Sequence, residues 1–137
     1  MGRAILCSTI INSRRFLFMT SNFTTRIIIP TRGGVTSKMK TIQSIPKELH
    51  HTILLVAAEP VPYNVDQIVI GDSIGIADKR QFIHQMQKDF GEDYIMVDDD
   101  VVLWSPGVDG KLHRATLEDM MRFHDLCVEH RNIHPFL

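Results

Sequence analysis

The sequence is poor in cysteine and has no acidic residue in its first third. Cys7 and Cys127 stand alone and far apart, matching no metal-ligand or redox spacing, which argues against a disulfide framework. That usage reads as a reduced, cytoplasmic (intracellular) chain. No apolar run approaches the roughly 18 residues that a membrane-spanning helix needs. The Gly-Lys-Ser/Thr ending of a phosphate loop is missing, and no Ser-His-Asp or Cys-His grouping stands out. A formal net charge of −1 argues against a general nucleic-acid-binding surface.

What charge there is lies unevenly. Residues 1–47 hold Lys and Arg without Asp or Glu and carry +8, so the remainder must carry −9 to reach the net of −1. Such a split suits a basic leader, and equally a site with cations beside phosphates and acids beside a metal. Residues 1–25 are rich in Arg, Ser and Thr, with neither strand alternation nor a helical stripe. They read as a leader or disordered extension, with Met19 as a natural start; a mitochondrial targeting segment is the alternative. Residues 26–137 are expected to form one domain, since 137 residues at 44% hydrophobic and 23% charged suit a single core.

Within that domain, Ile27, Ile28 and Ile29 form a β-branched run suited to a strand buried on both faces, which Pro30 should end. Thr31 to Gly34 then reads as a loop, and Val35, Met39 and Ile42 recur at helical spacing up to Pro46. Gly33-Gly34 before that helix would offer backbone N–H groups to an anion, a weak signal by itself. Ile53 to Val56 is a second buried strand, and Gln67 to Ile70 a short third. Asp72 or Ser73 should cap a helix with Ile76, Ile83, Met86 and Phe90 inward. Tyr94 to Val97 is a fourth strand. Thr116-x-x-Asp119 predicts a capping box for a last helix burying Leu117, Met120, Met121, Cys127 and Val128. His124, Cys127 and His130 do not converge on one helix face as metal ligands. Trp104 reads more readily as packing than as a sugar-stacking platform.

Alternating strands and helices of this length predict an α/β fold: a three-layer sandwich with a mainly parallel, Rossmann-like sheet. Ligands bind such sheets beyond the carboxyl ends of the strands, where Pro30–Gly34, Glu59–Asn64 and Asp98–Asp100 fall. Three adjacent carboxylates after an apolar strand would be costly to bury unpaired, and a divalent cation offsets that cost. In an extended chain Asp98 and Asp100 would point the same way and share one ion, with Mg²⁺ or Mn²⁺ suited to oxygen ligands.

The order Ile27–Arg32, a helix, Ile53–Val56, Gly75–Arg80 and Tyr94–Asp100 resembles the nucleotide-sugar-binding half of GT-A-fold glycosyltransferases over about 78 residues. The resemblance implies that Pro30, Thr31 and Arg32 line a nucleotide pocket, with Glu59 at the base. It implies Arg80 as a helix cation beside the diphosphate, Asp98 and Asp99 at the nucleotide, and Asp98 and Asp100 as the Asp-x-Asp-type metal ligands. Lys79 is a second cation for the diphosphate. The expected function is metal-dependent glycosyl (hexosyl) transfer from a nucleoside-diphosphate sugar to an unknown acceptor, the acceptor half being missing or minimal. The alternatives are a non-catalytic nucleotide-binding module or fragment, and another Mg²⁺-dependent nucleotidyltransferase or phosphohydrolase.

Overall fold

In a computed structural model, residues 23–36, 38–71 and 75–130 are described. Four parallel strands, β1 (Arg26–Gly33), β2 (Ile53–Glu59), β3 (Asp66–Val69) and β4 (Tyr94–Met96), form a sheet in the order β3-β2-β1-β4. The helices are α1 (Lys40–Ser44), α2 (Ile76–Phe90) and α3 (Leu117–Glu129), with a 3₁₀ turn over Lys47–Thr52. A short antiparallel hairpin, β5 (Trp104–Pro106) and β6 (Leu112–Arg114), precedes α3. The expected α/β class and parallel sheet are therefore present.

Strand alternation divides the core into two layers. Ile27, Ile29, Ile53 and Leu55 pack on one face against Met39, Ile42, Ile45, Leu49 and Met120, from α1, the 3₁₀ turn and α3. Ile28, Leu54 and Val56 pack on the other face against Ile83 of α2. Both faces of β1 and β2 are covered, which is why those strands read as continuous apolar runs.

Several expectations are corrected. β1 continues through Pro30 to Gly33, where a loop was expected. Val97 N–H donates to Ile28 O (3.1 Å), so alternate backbone groups of β1 face β4. Pro30 is the next residue on that side, and β4 has already ended at Met96, paired with Ile28. The missing proline donor therefore forfeits no ladder bond. α1 is only Lys40–Ser44, and Val35 is 82% exposed, because Gly33 and Gly34 take positive φ and steer the chain across the end of β2 first.

Helix faces also differ from the apolar pattern. α2 buries Lys79, Ile83 and Gln87, while Ile76 and Phe90, at its two ends, reach past the sheet into solvent. The Asp72 and Ser73 caps expected for α2 lie outside the described residues. On α3, Cys127 is exposed and His124 is buried. The inward stripe runs 117, 120, 121, 124, 128, which places Cys127 roughly 75° from its centre, at the edge of the covered face. His124 stacks on Phe23 (centroids 4.5 Å apart) and accepts from Thr24 N–H at 3.3 Å through Nε2. Phe23 and Thr25 are buried, so the globular unit begins before the boundary expected at residue 25. Among the described residues no helix is long and apolar enough to cross a membrane.

The capping box forms as the sequence predicts. Thr116 Oγ1 accepts from Asp119 N–H (3.3 Å), and Asp119 Oδ2 accepts from Thr116 N–H (2.9 Å). Asp119 also meets His113 of β6 (3.1 Å) and Arg122, tying hairpin to helix. The Thr116 N–H above all, then His113, the Thr116 hydroxyl and Ser105, hold the Asp119 carboxyl well below the usual carboxylate range, against opposing desolvation. A depressed folded pKa makes this contribution to stability complete above the unfolded value of about 3.9 and lost as pH falls below it. The difference in unfolding midpoint between wild type and Asp119→Asn should therefore shrink from pH 5 to pH 2.5. A constant difference would contradict this.

Candidate functional site

β2 and β3 extend the sheet to one side of β1, and β4 returns to the other side. The strand order thus reverses between β1 and β4, and the crevice beyond their carboxyl ends is where open α/β sheets take ligands. A cleft of about 560 Å³ occupies that position, lined by Pro30, Thr31, Arg32, Ala58, Gly75, Ile76, Lys79, Arg80, Asp98, Asp99 and Asp100. Its size falls within the roughly 300–1,000 Å³ of small-molecule sites.

The acidic segment leaves β4 and turns at Asp99 and Asp100, so the strict alternation that paired Asp98 with Asp100 does not hold. Thr41, fully buried at the start of α1, fixes the turn through its backbone. Its N–H donates to Asp99 O (3.2 Å), and its hydroxyl donates to Asp98 O (2.5 Å) and accepts from Val101 N–H (2.9 Å). The side chains are left to face the cleft. Asp99 Oδ2 accepts from the Thr31 hydroxyl (2.7 Å), and Asp98 Oδ1 accepts from Arg80 (2.7 Å). Thr41 was not singled out by its sequence; its role follows from folding α1 against the β4 exit.

The Arg80–Asp98 pair is about half exposed, at 45% and 51% of the side-chain surfaces. Pairs of that exposure contribute at most ~1 kcal/mol. An incoming anion or cation therefore displaces either partner at little cost.

Eight of the nine residues expected at the site, Pro30, Thr31, Arg32, Lys79, Arg80, Asp98, Asp99 and Asp100, are brought together in the cleft. Glu59 is not among its lining residues; Ala58, one position earlier, takes that place. Gly33 pairs in register with Glu59, and a Cβ at Gly33 would stand 2.0 Å from Glu59 O. The close approach uses the glycine, and the Gly33 and Gly34 N–H groups are already taken by Thr31 Oγ1 (3.2 Å) and Pro60 O (3.1 Å). The Gly-Gly pair is therefore a strand-crossing device, and its N–H groups are not free for an anion. Trp104 lies away from the cleft, with Arg114 5.2 Å from its ring centroid, beside a smaller apolar groove.

Lys79, which drew less weight than Arg80 from the sequence, is the more enclosed cation. It is 5% exposed and lines the cleft, whereas Arg80 is exposed. Only the rotation of α2 on the sheet reveals this, because the helix buries one lysine and one glutamine on its inward face.

Among the described residues, no group of three or more His, Cys, Asp or Glu side chains is assembled to hold a metal alone. No family model matches the chain, and neither curated proteins nor solved structures give a match.

Proposed function

We propose that the chain binds a nucleoside-diphosphate sugar with Mn²⁺ or Mg²⁺ in the switch-point cleft, and acts as a GT-A-like glycosyltransferase or the nucleotide-binding part of one. The observation that carries this reading is the facing of Arg32, Lys79 and Arg80 against Asp98, Asp99 and Asp100 across one cleft at the strand ends. Mixed charge of this kind suits a ligand that is itself an anion accompanied by a cation.

The residues present fit such a cation. Asp98 and Asp99 each commit one oxygen within the protein and keep the other without a hydrogen bond among the described residues. Mg²⁺ commonly takes one or two carboxylates and completes its shell with phosphate oxygens and water. Asp98 and Asp99 are thus the better-placed pair, with Asp100 beside them. Bound there, the metal would neutralise the departing diphosphate as the glycosidic bond breaks. Thr31 orients the Asp99 carboxylate, Thr41 holds the turn, and Arg80, once released from Asp98, is positioned to meet phosphate oxygens. The helix and turn would be arranged before the ligand arrives, which limits the ordering cost of binding.

Titration with UDP- and GDP-sugars, with and without Mn²⁺, tests the reading, and absence of metal-dependent binding would reject it. Arg80→Gln should split the two arms. Metal binding without nucleotide should strengthen slightly because Asp98 is freed, while nucleotide-sugar affinity falls roughly tenfold from loss of a charge-assisted hydrogen bond. Equal loss in both arms would point to a disturbed fold. Metal-dependent binding without sugar transfer or hydrolysis would mark a nucleotide-binding module.

A further inference from the structure

The amino end of α2 opens into the cleft through Gly75 and Ile76. Lys79 N–H donates to Gly75 O (3.0 Å), the first bond of the helix, and among the described residues the N–H groups of Ile76, Ala77 and Asp78 find no acceptor. The N-cap is Gly75, which has no side chain to cap the end. Fifteen residues of helix stand behind that terminus, enough for a full dipole. A second, independent feature lies beside it. Lys79 is 95% buried yet lines the cleft, and among the described residues its ammonium has neither a carboxylate in salt-bridge range nor a hydrogen bond. The stem is what is buried; the ammonium reaches the cleft unpaired, where a bound anion would meet it.

Two of the neighbouring charges are engaged elsewhere. Arg80 is held by Asp98, Asp99 by Thr31, and Asp78 in the first turn is exposed. We infer that Lys79 and the first-turn N–H groups of α2 form a phosphate-binding subsite that operates without the metal, recognising a phosphate or pyrophosphate group. This deepens the proposed function by assigning one end of the diphosphate to the helix and leaving the other to the acidic turn. It rests on that reading for the nucleotide and sugar, and stands apart from it for the anion alone. Backbone N–H groups and a lysine ammonium recognise phosphate oxygens by charge and direction, with no demand on the base.

The test is titration of the full chain with inorganic pyrophosphate in EDTA, read by calorimetry and by amide NMR shifts. Binding is expected, with the largest shifts at Ile76, Ala77 and Asp78. Lys79→Gln should weaken it at least about tenfold, the worth of one charge-assisted hydrogen bond, and Lys79→Arg should retain part of it. Asp98→Ala with Asp99→Ala should leave it equal or stronger. Should Lys79→Gln fail to fold, Asp78→Asn supplies the second variant: removing that acid should tighten binding a few-fold. No binding in EDTA, equal affinity in Lys79→Gln, or no gain in Asp78→Asn would overturn the inference. The two proposals fail separately. Pyrophosphate held by Lys79 without any Mn²⁺-dependent sugar-nucleotide binding leaves the subsite standing alone; Mn²⁺-dependent binding indifferent to Lys79 removes the subsite alone.

Discussion

Replacing Asp98 and Asp99 together by alanine is expected to reduce Mn²⁺-dependent binding of a nucleoside-diphosphate sugar by about 100-fold or more. Outer-shell partners of metal ligands already account for roughly 10–100-fold, and these two carboxylates are the proposed ligands themselves. The fold should survive, for a specific reason. Thr41 holds the turn through the carbonyls of Asp98 and Asp99, and both carbonyls persist in alanine. The substitutions remove the ion pair with Arg80, which is half exposed, and the hydrogen bond from Thr31, which is part-buried. Calorimetric titration with and without Mn²⁺, alongside a urea unfolding curve, checks both halves. Unchanged metal-dependent affinity would remove the acidic turn from the site, and a collapse of the unfolding curve would show that the side chains serve the fold.

The second large effect concerns the backbone beneath the cleft. Gly33→Ala places a Cβ 2.0 Å from the Glu59 carbonyl oxygen at a residue with φ of 79°, so strain and collision act together. Neither can be relieved by turning a side chain, because the obstacle is the backbone of β2. The ends of β1 and β2 must separate, at roughly 2–4 kcal/mol, the range of strained-backbone and steric mutations. Pro30, Thr31 and Arg32 are carried on the same strand end, so ligand affinity should fall along with stability. Gly34→Ala is the control: it shares a positive φ, but its Cβ meets only the Glu59 side chain at 3.9 Å. Chemical denaturation of the two variants should rank Gly33→Ala well below Gly34→Ala, and equal losses would show that φ alone decides.

The parts of this fold that were legible are those where a single local rule decides. Ile27–Ile29 and Ile53–Val56 are buried on both faces, and an unbroken β-branched or aliphatic run has few other uses in a chain of this size. Thr116 and Asp119 form their capping box within four residues, so no distant partner is needed to predict it. The place of the three carboxylates at a strand end was legible from the apolar run before them, whereas their turn at Asp99 and Asp100 was not.

The rest depended on interactions between distant residues. Whether Pro30 ended β1 hinged on where β4 stopped, some seventy residues later. The apolar spacing of Val35, Met39 and Ile42 suggested a long helix, but the Gly33–Glu59 crossing keeps the chain out of a helix until Lys40. Lys79 and His124 occupy inward positions that an apolar pattern assigns to Ile76 and Cys127. Helix rotation on the sheet is set by the fit of Ile83 and Met120, and polarity alone gives only the approximate face.

Anomalous diffraction at the manganese edge, from crystals grown with Mn²⁺ and a nucleoside diphosphate, addresses the central claim most directly. The account predicts one strong peak in the cleft, bonded to Asp98 or Asp99 and to the diphosphate, with Arg80 drawn off Asp98. A manganese peak elsewhere, or a nucleotide seated with Arg80 and Asp98 still joined and no metal beside them, would contradict it.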